Sequence, residues 1–129
     1  MENMQAKLQA WPEERVKRME KHIQALSEWL DGKTGQTLSI EKTENEDTDL
    51  VHFELREIDE RSQDNPVDDY LERALLLRGS GNIVNGDGEQ VPLPGDTYEI
   101  VLNELEISDK GEDRLALSND RAKYVISIG

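Results

Sequence analysis

Cysteine is absent from the 129 residues, which excludes disulfides, thiolate metal ligands and cysteine nucleophiles. Aromatic residues are scarce, at 5% with a single phenylalanine, and there are only two histidines. Apolar residues make up 35% of the chain, below the roughly 45–50% of an ordinary globular domain. No stretch approaches the roughly 20 apolar residues that a membrane-spanning helix needs, and no charged segment leading into an apolar one marks a secretory leader. Lysine and arginine patches of the kind that neutralise nucleic-acid phosphates or anionic lipids are also missing. These absences set the expectation of a cytoplasmic protein with no nucleic-acid partner and no membrane partner.

A composition this polar implies disorder when its apolar residues are scattered. Here they are periodic, so one folded domain spanning 1–129 is expected, the length allowing a single modest core. Val16, Met19, Ile23, Leu26 and Leu30 recur at steps of three and four, the spacing that keeps side chains on one helical face. The pattern predicts an amphipathic helix over residues 12–30. Pro12 suits the first helical position, with Glu13 and Glu14 set against the positive end of the helix dipole. Asp31-Gly32 predicts the stop, with Gly32 as a left-handed cap. Residues 1–11 read as a short helix or a loose arm.

From residue 36 the period changes to two. Leu38 and Ile40 alternate with polar residues, as do Val51, Phe53 and Leu55, which predicts strands with one wet face. Polar loops are expected at 43–49 and 59–69. Residues 66–78 carry both helical and strand signals. The balance favours a helical turn near 66–71 and then a strand over 73–84, because Leu75, Leu77, Gly79, Gly81 and Ile83 share one parity. Asn85-Gly86-Asp87-Gly88 is a hairpin signal. Tyr98, Ile100 and Leu102 keep one parity and Leu105 and Ile107 the other, which predicts a β-bulge near 103–104. Residues 115–117 and 122–128 complete the pattern. The fold class is α+β: an N-terminal amphipathic helix packed on an antiparallel sheet of about six or seven strands over 36–128, as a meander, a curved sheet or a small open barrel.

Charge is unevenly placed within the total of −14. Residues 1–35 carry six basic and six acidic side chains, whereas residues 36–69 carry three basic and twelve acidic. The helix is therefore the neutral part of an acidic chain. If the protein associates through any segment, the helix is the one that charge repulsion opposes least. Trp11, His22 and Trp29 lie along the edge of its apolar stripe and are the candidate partner-binding residues, for a protein partner or for a homodimer. Completion of the core is the competing account of both tryptophans.

Catalytic signals are lacking. There is no G-x-S-x-G, no H-E-x-x-H and no defensible carboxylate pair. The acidic run at 41–49 lacks the spacing of a calcium loop and reads as a solvated charge run. Gly79-Ser80-Gly81 has neither the spacing nor the lysine of a phosphate-binding loop, and reads as strand glycines where another backbone comes close. His22 and His52 fall on separate elements with no linking motif. No metal site, cofactor or catalytic residue is predicted. The chain is expected to be a non-enzymatic protein-interaction or regulatory domain. The alternatives are a small-ligand binder with a cleft between helix and sheet, or an acidic mimic that presents carboxylates to a basic protein.

Overall fold

A computed structural model describes residues 13–61, 73–85 and 87–128, with helix side chains from Lys17 onward. Helix α1 (Glu13–Asp31) is followed by β1 (Thr37–Glu44), β2 (Asp47–Arg61), β3 (Ala74–Val84), β4 (Gln90–Pro92), β5 (Thr97–Val101), β6 (Glu106–Lys110), β7 (Arg114–Ser118) and β8 (Lys123–Ile128). The strands form one antiparallel sheet in the order β4-β3-β2-β1-β8-β7-β6, with β5 also pairing β3. The α+β architecture stands, and the strand count rises from six or seven to eight. The additional strand comes from the 98–107 segment, which divides into β5 and β6, and β4 and β5 each pair one half of β3. Among the described strands β6 does not pair with β4 or β5, so the sheet is not closed.

The sheet nevertheless has to curl. Strands β5 and β6 stand six strand spacings apart in the ladder, roughly 29 Å if the sheet were flat. The five Cα–Cα links from Val101 to Glu106 span at most about 19 Å. Bending resolves the mismatch and makes a concave face. Alternate residues fill that face: Leu38, Ile40, Phe53, Leu55, Leu75, Leu77, Ile100, Leu115, Leu117 and Ile126 are all buried. Ile23, Leu26 and Leu30 of α1 join the same cluster, each burial contributing about 1.5–3 kcal/mol. From Met19 onward the apolar stripe read from the sequence is thus the face that packs on the sheet.

Several local readings change. The predicted loop at 43–49 is a two-residue turn at Asn45 and Glu46, both with positive φ (50° and 72°). That conformation matches the twist of a hairpin, so the acidic residues around it are strand residues. Strand β2 continues to Arg61, over the first three residues of the predicted 59–69 loop; the rest of that loop and the proposed helical turn at 66–71 lie outside the described residues. The parity switch near 103–104 is a break between two strands, with Glu104 at φ 57°. Bulges fall instead at Leu55/Glu57 and Ile107/Asp109. Gly32 does not cap α1 in the left-handed region: its N–H bonds back to Glu28 (3.1 Å), and the left-handed residue is Gly35, φ 88°. In the Asn85 hairpin, the Asn85 side-chain oxygen accepts from the N–H groups of Asp87 (2.9 Å) and Glu89 (3.0 Å).

Close approach of the β2 backbone explains the strand glycines, as the sequence reading expected. Gly79 and Gly81 stand opposite Leu55 and Phe53 on the concave face. A Cβ at Gly79 would lie 1.9 Å from the Glu54 carbonyl oxygen, and one at Gly81 would lie 2.7 Å from the His52 oxygen and 2.8 Å from Phe53 Cδ1. Both glycines are therefore steric requirements. Gly79→Ala is expected to destabilise the domain by at least about 1–3 kcal/mol, measured by urea unfolding. Gly81→Ala should do the same and recover part of the loss when combined with Phe53→Leu, because part of its clash is with the ring.

Candidate functional site

Of the three residues singled out on the helix, Trp11 lies outside the described residues. His22 and Trp29 are brought together on one element. His22 Nδ1 accepts the backbone N–H of Ile107 (3.2 Å), and the Trp29 indole N–H donates to the Gly111 carbonyl (2.7 Å). Seven residues of helix advance about 10.5 Å, close to the roughly 13 Å between residues 107 and 111 of a strand. Two helical side chains therefore take the place of a neighbouring strand along the free edge of β6. The Trp29 ring is half-buried, with Lys33 Nζ 5.0 Å above its centroid.

Shallow grooves flank the helix. The groove lined by Arg18, Met19, His22, Glu104, Glu106 and Asn119 measures about 330 Å³. Across the helix a groove of about 340 Å³ holds an ion cluster. There Arg73 Nη1 donates to Glu20 (2.7 Å) and Nε to Glu60 (3.0 Å). The Leu55/Glu57 bulge gives residues 58 and 60 the concave parity, and so sets Glu60 beside Arg73. The Arg73 hydrogen bond holds the Glu20 carboxyl below its usual range, with burial opposing it and the arginine charge reinforcing it. These partners are mutually satisfied, and exposed pairs of this kind contribute at most about 1 kcal/mol.

The end of the concave face nearest the β1–β2 turn differs. A cavity of about 280 Å³ opens there, with a floor of Val51, Ile83 and Leu93 and a rim that includes Lys42, Asp49 and Tyr98. Lys42 and Asp49 are cross-strand partners. Lys42 Nζ lies 3.3 Å from Glu44 Oε1 and 5.9 Å over the ring of Tyr124. The Tyr98 ring packs against Phe53 at a centroid distance of 6.3 Å. Among the described residues neither the Tyr98 hydroxyl nor the Asp49 carboxylate has a hydrogen bond or an ion-pair partner. Burial pushes the Tyr98 phenol well above its ordinary value, with Tyr124 and the Asp49 charge adding to the rise. A polar groove of about 560 Å³ runs over the convex face past His52, Ser80, Asn82 and Gln90.

Chemically, the concave end pairs an apolar floor with a few polar tips, the make-up of a small-molecule site. Among the described residues no three histidines, aspartates or glutamates are grouped to hold a metal. His22 and His52 stay apart, one on the β6 edge and the other on the convex groove. The model of the YmzB-like protein family matches residues 19–129, which takes in most of α1 and every strand. The chain belongs to that family. It is 40% identical over 110 residues to Uncharacterized protein YmzB of Bacillus subtilis (strain 168), covering 80% of this chain and 92% of the relative. No solved structure matches it. The YmzB-like description carries no activity, so the functional reading rests on geometry.

Sequence reasoning missed Lys42, Asp49 and Tyr98 as a group, although a signal was present. Lys42 continues the parity of Leu38 and Ile40, and Asp49 that of Val51 and Phe53, so two charges sit on the face otherwise reserved for apolar residues. Two measurements follow. His22→Phe, which leaves the Ile107 N–H without its acceptor, should cost about 1–3 kcal/mol in urea unfolding, whereas His22→Asn, with an oxygen near the same place, should cost less. In an alkaline titration followed by ultraviolet absorbance, Tyr98, identified by the signal lost in Tyr98→Phe, should ionise above the ordinary tyrosine value. Because its folded-state value is raised, its contribution to stability is complete below the ordinary tyrosine value of about 10 and is lost as pH rises beyond it.

Proposed function

We propose that the chain is a non-enzymatic binding domain whose ligand is a small molecule held at the open end of the concave face. The observation that carries this reading is the cavity of Val51, Ile83 and Leu93, where the Tyr98 hydroxyl and the Asp49 carboxylate have no partner among the described residues. The interior is apolar, with no described polar or charged side chain buried; Asp49 stands exposed on the cavity rim and Tyr98 is half-buried. Among the described residues the other shifted groups are Glu20, Arg73 and Arg78, all in ion pairs. A cytoplasmic location goes with this reading, since no described helix is long and apolar enough to cross a membrane and the chain has no cysteine. Nucleic acid and anionic membranes are poor partners for a net charge of −14.

A second reading keeps the protein-interaction or regulatory role, with a protein partner or a second copy meeting the helix at Trp11, His22 and Trp29. The half-buried Trp29 ring beneath Lys33 favours it. Strand addition is a less suitable mode. The β6 edge is occupied by His22 and Trp29, and the opposite edge is divided between β4, of three residues, and β5, of five. Leu93 N–H donates inward to Gly81 (2.9 Å), so alternation turns Pro92 outward, where it has no N–H to offer.

A thermal-shift screen of small amines, carboxylates and neutral compounds separates the two readings. On the ligand reading at least one compound raises Tm by linkage, and Ile83→Trp, which fills the cavity, abolishes the rise. A screen without hits, together with self-association that Trp29→Ala disrupts, would replace it with the second reading.

A further inference from the structure

The charge around the cavity selects among ligands, an inference that rests on the ligand-binding reading above. Among the described residues Lys42 is the one cation on the rim, and Glu44 already lies 3.3 Å from it. Glu99, which also borders the cavity, is held by Arg61 through two hydrogen bonds of 2.6 and 3.1 Å. Asp49 then remains as a full negative charge without a counter-ion among the described residues. The Tyr98 hydroxyl stands on the same face, its oxygen available as an acceptor. Tyr124 already presents its ring to an ammonium group, that of Lys42 at 5.9 Å, the geometry by which aromatic rings hold cations.

An anionic ligand would meet Asp49 with the only rim cation already neutralised. A neutral ligand would leave Asp49 as it is. A cation would pair with Asp49, and the −14 charge of the chain would raise its local concentration. The floor of Val51, Ile83 and Leu93 requires an apolar body beside the charge. The volume of about 280 Å³ falls just below the roughly 300–1,000 Å³ of sites for drug-sized ligands, so the body is short.

We propose that this cavity binds a small organic ammonium ion, with Asp49 as its counter-ion, the Tyr98 oxygen accepting from its N–H, and its alkyl or aryl part on Val51, Ile83 and Leu93.

The test uses the full chain and three probes of one shape: hexylammonium, hexanol and hexanoate. Binding is followed by amide chemical shifts in NMR, at low and at physiological salt. Hexylammonium should shift the resonances of Val51, Ile83 and Leu93 saturably at both salt concentrations, and hexanoate should not. Asp49→Asn should weaken hexylammonium about tenfold or more, the loss of a charge-assisted hydrogen bond. Tyr98→Phe, which preserves the ring packing on Phe53, should weaken it less. If hexanol or hexanoate binds in the cavity as well as hexylammonium, or Asp49→Asn has no effect, the cavity takes a ligand and the cationic assignment is wrong. If none of the probes shifts those three residues, the ammonium site is refuted. If, in addition, the screen above yields no compound sensitive to Ile83→Trp, the ligand-binding reading falls with it. Shifts spread over the acidic surface and lost at physiological salt would identify diffuse counter-ion binding and would also refute the site.

Discussion

The short link between Val101 and Glu106 is the constraint on which this architecture turns. It joins strands that stand at the two extremes of the ladder, and a chain of that length reaches across only if the sheet bends around its own side chains. The concave face, the cluster that fills it and the opening left at one end all follow from that bend. Contacts around the link hold it in place. Asn119 donates its side-chain amide to the Val101 carbonyl (2.9 Å), Asp120 N–H bonds to Asn103 (3.1 Å), and Leu102 N–H bonds to Arg73 (2.9 Å). The β7–β8 turn and the start of β3 are thereby fastened to the same few residues.

The helix completes what the bend begins. A sheet that curls without closing keeps an edge at each end, and such edges invite pairing with other chains. At the β6 end, side chains rather than a ninth strand occupy the edge. His22 supplies an acceptor and Trp29 a donor, at positions whose separation along the helix suits that of Ile107 and Gly111 along the strand. On the far side Arg73 ties Glu20 to Glu60. The helix is fixed on both flanks, while its apolar stripe is buried between them.

Much of this was legible in the residues. The three-and-four spacing of Met19, Ile23, Leu26 and Leu30 locates the helix and its buried face, and the alternation of Val51, Phe53 and Leu55 locates a strand with the correct inward parity. Asn85 to Gly88 marks a hairpin that forms. What was not legible came from pairing across distance. The turn at Asn45 and Glu46 was hidden because neither residue is a glycine and both adopt positive φ. The switch at 103–104 looked like a bulge because a bulge and a change of strand partner leave the same parity signature. Gly79 and Gly81 were legible as sites of close backbone approach, but nothing in the local sequence says that the approaching carbonyls belong to Glu54 and His52, more than twenty residues earlier. The candidate site was the least visible, since Lys42, Asp49 and Tyr98 belong to three strands. The histidine and tryptophan that do stand out on the helix turn out to hold the β6 edge.

The docking of α1 on β6 has a consequence for biosynthesis. The helix leaves the ribosome first among the described elements, yet its edge partners lie some eighty residues later in the chain. Until β6 has emerged, an amphipathic segment with a tryptophan on its flank has no β6 edge to cover. A nascent or prematurely terminated chain therefore exposes an adhesive surface for most of its synthesis. Final assembly depends on contacts of high sequence separation, the class that slows folding.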